Sequence, residues 1–126
     1  MTLEHVALWT PNVERARQFY GDYFGAVATG WYRDPDRQLS AYFLSFASGA
    51  RLKLIQPAKL LAAGRGPVIR CAHLAFASGS VATVQALTER LRRAGYLIIS
   101  EPGLTARGRY QSVIADPDGN SIEITS

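Results

Sequence analysis

Four ionisable residues of this 126-residue chain fall into two pairs at nearly equal spacing. His5 and His73 are separated by 68 (from 5 to 73), and Lys53 and Glu123 by 70 (from 53 to 123). Each sits within an apolar run: Leu3 to Leu8, Cys71 to Phe76, Arg51 to Ile55, and Ser121 to Ile124. Strand alternation would set His5 opposite Glu4 and beside Ala7, and Glu123 opposite Ile122 and Ile124. Two imidazoles and a carboxylate are a donor set for Zn, Ni, Mn, Fe or Co, with positions left for water or substrate. Taken singly, a strand histidine more often packs than ligates. The pairing is what points to a shared cleft, on which all four side chains converge if two halves are related by a pseudo-twofold axis.

The elements that would position them are repeated too. After the first histidine strand, Asn12 can cap a helix from Val13 to about Phe24; after the second, Ser80 can cap one from Val81 to about Ala94. Phe19, Tyr20, Tyr23 and Phe24 recur at helical spacing, as do Val84, Leu87, Leu91 and Ala94. Gly25 and Gly95 follow the helices, where a left-handed residue is wanted. Tyr42–Phe46, a Ser48-Gly49 turn and Arg51–Ile55 match Ser112–Asp116, an Asp118-Gly119 turn and Ser121–Ile124. Further strands are expected around Ala26–Tyr32, before the loop Asp34-Pro35-Asp36, and over Tyr96–Ser100, before a turn at Pro102-Gly103. The chain therefore predicts an α+β fold of two tandem βαβββ modules, a cleft-bearing mixed sheet with its helices outside. Module 1 spans 1–56, a linker 57–67 and module 2 68–126, together one domain. Neither module, at about 60 residues, buries much alone, so two copies packed together or swapped between chains are expected.

Composition narrows the function classes. The chain is 48% apolar and 19% charged, which is globular, and one cysteine excludes an intramolecular disulfide framework. No apolar run is long enough to cross a bilayer, and the N-terminus lacks a signal-peptide pattern, so a cytoplasmic protein without membrane contact is expected. Twelve of the fourteen basic residues are arginine, and the formal charge is +4. They are scattered, with no basic run and no helix-turn-helix pattern, so no nucleic-acid partner is predicted. There is no GxGxxG, P-loop, GxSxG or HExxH motif. Cys71 precedes His73 by two, on the same strand face, and reads as a small core residue rather than a nucleophile.

The duplication, the His5-Val6-Ala7-Leu8 start, Phe19-Tyr20 with Phe24-Gly25, and Asp116-Pro117-Asp118-Gly119-Asn120-Ser121-Ile122-Glu123 together resemble the vicinal oxygen chelate superfamily. That group contains glyoxalase I, extradiol dioxygenases, fosfomycin-resistance transferases and bleomycin-binding proteins. The resemblance covers essentially the whole chain and is nearest to small glyoxalase-like bacterial members. It implies one divalent metal per site at His5, His73 and Glu123. It also implies Lewis-acid chemistry on two vicinal oxygens of a small molecule, catalysed as a lyase, isomerase, dioxygenase or transferase, by a homodimer.

Lys53 departs from that pattern, which has a glutamate there. An ammonium does not ligate while protonated and repels a nearby divalent ion. Three outcomes stay open. The metal binds through three ligands and Lys53 faces the substrate, as an oxyanion stabiliser; or Lys53 pairs with Glu123 and the cleft is a metal-free, bleomycin-resistance-like binding pocket; or Lys53 is itself the base. Trp9, Trp31, Tyr32, Tyr42 and Tyr110 are candidates to line the cleft. Arg107 and Arg109, with Lys53, make it positive and predict an anionic ligand such as a carboxylate or phosphonate.

Overall fold

In the computed structural model of the chain, residues 1–47, 49–59 and 73–126 are described. Cys71, Ser48 of the first expected turn and most of the expected linker lie outside the described residues. The chain divides into two compact units, taken in turn below.

The first unit begins with β1 (His5–Trp9), followed by a helix that starts where its cap dictates. Asn12 is extended and its side chain accepts from Arg15 N, so α1 runs Val13–Phe24. Gly25 ends it at φ 67°, a left-handed value that costs glycine nothing. Then come β2 (Val27–Asp34), β3 (Leu39–Ser45) and β4 (Arg51–Pro57). The sheet order is β1-β4-β3-β2, with β1 parallel to β4 and the other pairs antiparallel. Val13, Ala16, Phe19 and Tyr20 bury the inner side of α1, and Leu8, Ala41, Leu44, Leu52 and Leu54 are buried in the sheet. Each such large side chain contributes about 1.5–3 kcal/mol by leaving water.

The second unit has the same plan: β5 (Leu74–Ala77), α2 (Val81–Arg93), β6 (Ile98–Leu104), β7 (Tyr110–Ala115) and β8 (Ser121–Thr125), ordered β5-β8-β7-β6. Ser80 caps α2 through Thr83 N. The core is Val84, Leu91, Ile114, Ile122 and Ile124, with one polar pair among them. Thr88 donates to Val84 O at 2.6 Å, which leaves its oxygen to accept from Ser112 Oγ at 2.7 Å, so both buried hydroxyls are satisfied. The expected α+β architecture of two βαβββ modules, each a four-stranded mixed sheet with its helix on one face, is the one found.

Two local expectations are corrected. Pro102-Gly103 is not a turn but lies within β6, where the register shifts between Ser100 and Gly103. β6 is an edge strand, and a proline there removes no ladder bond that a central strand would need. Tyr96 is not in a strand either; its N–H closes the end of α2 on Leu91 O, beside Gly95 at φ 89°.

Candidate functional site

Register decides which side chains share a face. In the first sheet Ala7 pairs with Lys53, and Lys53 with Phe43; His5 pairs with Arg51. His5, Ala7, Trp9, Phe43, Arg51 and Lys53 therefore lie on the face away from α1, while Leu44, Leu52 and Leu54 lie beneath the helix. In the second sheet Ala75 pairs with Glu123, and Glu123 with Val113. The two sheets thus carry Lys53 and Glu123 at equivalent register positions, two residues beyond the level of the histidines.

The hairpin before β8 sets that register. Asp116 is buried, and its Oδ1 accepts from Asp118 N at 2.9 Å and Asn120 N at 2.8 Å, while Oδ2 accepts from Asn120 Nδ2 at 2.8 Å. Gly119, at φ 83°, completes the turn. The Asp-Pro-Asp-Gly-Asn run is therefore a device that places Glu123. There its carboxylate comes to 3.7 Å from His73 Nε2, with the Glu123 side chain 19% exposed. An imidazole nitrogen and a carboxylate oxygen at that separation are chemically suited to share one cation.

On the first sheet the corresponding place is cationic and aromatic. Lys53 Nζ lies 5.4 Å from the centroid of Tyr32 and 5.3 Å from that of Phe43, both within cation–π range. Arg51 lies 4.4 Å over Phe43, and His5 meets the same ring edge-on at 5.3 Å. Glu4 was expected to point away from His5. Its carboxylate instead contacts both His5 Nδ1 and Arg51, because Glu4 precedes the first residue of β1 and strand alternation does not constrain it. Glu4, Arg51 and Phe43 were not among the sequence-predicted site residues, whereas Tyr32 was a candidate cleft residue; the pairing register brings Arg51, Phe43 and Tyr32 to His5 and Lys53.

The remaining predicted residues distribute differently. Trp9 shares the face of His5 and is exposed. Tyr42 lies on the helix-bearing face, where its hydroxyl donates to Glu14 at 2.5 Å and Arg17 sits 5.8 Å from its ring centroid. That bond, helped by Arg17, holds the Glu14 carboxyl below its ordinary value, and the same bond pushes the Tyr42 phenol up against the opposing pull of Arg17. Tyr110 is likewise on the helix side of its sheet, accepting from Gln85 Nε2 of α2 at 3.0 Å. Arg107 and Arg109 are exposed on the tight turn closed by Gly108 N to Thr105 O and Thr105 N to Arg109 O. Among the described residues no group of three or more His, Cys, Asp or Glu side chains stands together to hold an ion. The second unit offers two such donors at one place, His73 and Glu123.

Comparison with solved structures finds this architecture repeatedly. Glyoxalase I from Zea mays is 23% identical at a TM-score of 0.77, with 98% of this chain covering 44% of that one. The trypanothione-dependent glyoxalase I of Leishmania major is 20% identical at a TM-score of 0.78, covering 98% of this chain and 85% of that one. A Bacillus cereus protein described as a possible glyoxalase is 25% identical at 0.73, covering 100% and 99%. The chain spans less than half of the maize enzyme, and the likenesses under 25% identity bear on the fold. No curated protein sequence matches. The Glyoxalase/Bleomycin resistance protein/Dioxygenase superfamily model matches residues 2–124, nearly the whole length, and the chain belongs to that superfamily.

Proposed function

We propose that the protein is a divalent-metal-dependent enzyme of the vicinal oxygen chelate type, acting on a small anionic chelating substrate. Its metal ligands are His5 from the first module and His73 and Glu123 from the second, in a single glyoxalase-like domain that works as a homodimer. The observation that carries this reading is Glu123, held by the Asp116 turn 3.7 Å from His73 Nε2, at the register position that Lys53 occupies in its own sheet. When bound, the metal supplies Lewis acidity toward two neighbouring substrate oxygens. The chain's own part is recognition and proton handling. Lys53, whose partners among the described residues are the rings of Tyr32 and Phe43, offers its ammonium to a substrate anion. Trp9 adds an apolar wall beside His5, and Arg107 and Arg109 add positive charge. Glu123 is the carboxylate placed to take up a substrate proton when it is not ligating.

Lys53 also favours a second reading, a metal-free pocket that sequesters its ligand, in which Lys53 pairs with Glu123. Metal content separates the two. Protein purified without chelators is expected to hold about one Zn, Ni, Mn, Fe or Co per chain, lost in His5→Ala and in Glu123→Ala. An empty wild type with uptake by Lys53→Glu establishes the second reading instead.

A further inference from the structure

The two histidines of the repeat are not equivalent. Glu4 precedes His5, whereas Ala72 precedes His73; Arg51, the register partner of His5, has Ser121 as its counterpart. The Glu4 carboxylate contacts His5 Nδ1 through one oxygen and Arg51 through the other. Arg51 is held in its turn, stacked 4.4 Å over Phe43, and its backbone N–H donates to Glu4 O at 3.0 Å. The same Phe43 ring meets the imidazole edge-on, which fixes the ring plane. Nε2 of His5 has no hydrogen-bond partner among the described residues.

A free neutral imidazole carries its proton on Nε2 more often than on Nδ1. A carboxylate at Nδ1 reverses that preference, because it accepts from an Nδ1–H and repels a bare Nδ1 lone pair. The Nε2 lone pair is then the exposed one. We propose that Glu4, braced by Arg51, is a positioning residue that keeps His5 in the Nδ1–H tautomer and presents Nε2 as a donor. This rests on the metal-site reading for what Nε2 meets, but the tautomer itself does not. The residue before His73 in the sequence is alanine, which has no carboxylate to offer.

The test uses the full chain labelled with ¹⁵N-histidine, stripped with a chelator and held near pH ~8.5, where imidazoles are neutral. Long-range ¹H–¹⁵N correlation tells which ring nitrogen bears the proton. With two histidines in the chain, His73→Gln assigns both patterns. Wild-type His5 is expected as Nδ1–H. Glu4→Ala is expected to return it to the ordinary tautomer with His73 unchanged, and Glu4→Gln, which keeps an acceptor, to retain part of the bias. Arg51→Met should weaken the bias and Arg51→Lys restore it. Titration with Zn²⁺ alone should then show affinity reduced about 10- to 100-fold in Glu4→Ala. Glu4 is more than half exposed, so unchanged backbone amide spectra are expected for its variants. Wild-type His5 as Nε2–H, or a tautomer unmoved in Glu4→Ala, overturns the proposal. A shifted tautomer with undiminished Zn²⁺ affinity overturns the claim that it presents a donor. The expected tautomers in a wild type that takes up no Zn²⁺ overturn the metal-site reading and leave the role of Glu4 standing.

Discussion

At the scale of single residues, the same chemistry serves different ends on the two faces of one sheet. Tyr42 and Phe43 are neighbours in β3, yet Phe43 meets His5, Arg51 and Lys53, while Tyr42 ties the sheet to α1 through Glu14. Because Glu14 is held below its ordinary value, its ionised form contributes stability present above the unfolded carboxylate range and lost as pH falls through the folded value. Tyr42 is raised, so its contribution is present below the unfolded phenol value and lost as pH rises through the folded one. Tyr42→Phe should therefore cost up to about 1 kcal/mol near neutrality, a small figure because solvent screens both groups. Denaturant titrations of both proteins should show the gap closing in acid below the carboxylate range. A gap that is constant with pH would mean the hydroxyl acts without the carboxylate. At the other site, Arg107→Ala with Arg109→Ala should weaken binding of small carboxylates or phosphonates about tenfold and leave neutral ligands unchanged, by calorimetric titration. Equal losses for neutral and anionic ligands would remove these arginines from recognition.

At the scale of elements, the turn between β7 and β8 carries more than its share. Asp116 accepts three hydrogen bonds while buried, so Asp116→Ala leaves Asp118 N–H, Asn120 N–H and the Asn120 amide without their acceptor. A loss of about 2–4 kcal/mol in chemical unfolding is expected. Gly119→Ala meets no atom within 4 Å of the added Cβ, so its cost is conformational alone, about 1–2 kcal/mol from a φ of 83°. If Gly119→Ala proves as damaging as Asp116→Ala, the turn does not work as described. Both helices were legible in the sequence because caps and terminal glycines are local chemistry: Asn12, Ser80, Gly25 and Gly95 act on residues within one turn. The edge strands were less so. The start of β6 and the place of Pro102 within it depend on pairing with β7, which nothing in residues 96–104 announces. The facing of Tyr42 is legible in strand alternation, since it shares parity with Leu44, whereas its residue type alone points it to a cleft. Glu4 could not, because it lies just outside the strand whose periodicity would have placed it.

At the scale of the whole molecule, the duplication is both what made the site legible and what leaves each module needing company. The register of Ala7 with Lys53 and of Ala75 with Glu123 turns two sequence offsets into one repeated position, so the candidate residues could be singled out without any local motif. Each module, however, has a core of small extent beneath a single helix. Trp9, Val27, Trp31, Leu97, Ile99 and Leu104 are large apolar side chains left exposed among the described residues. A domain of about 60 residues buries only about 60% of its unfolded surface, so modules of this size gain by covering more apolar area. Association of two chains would do so, and a twofold partner is the commonest closed arrangement. Light scattering in dilute solution is therefore expected to give about twice the 13.8 kDa chain mass, with a unfolding midpoint that rises with protein concentration. Substituting Trp31 or Leu104 by glutamate should move the mass toward that of one chain if those residues lie in the contact. A single-chain mass with a concentration-independent midpoint would show that the two modules suffice for each other, and that the proposed site, if it forms, is completed within one chain.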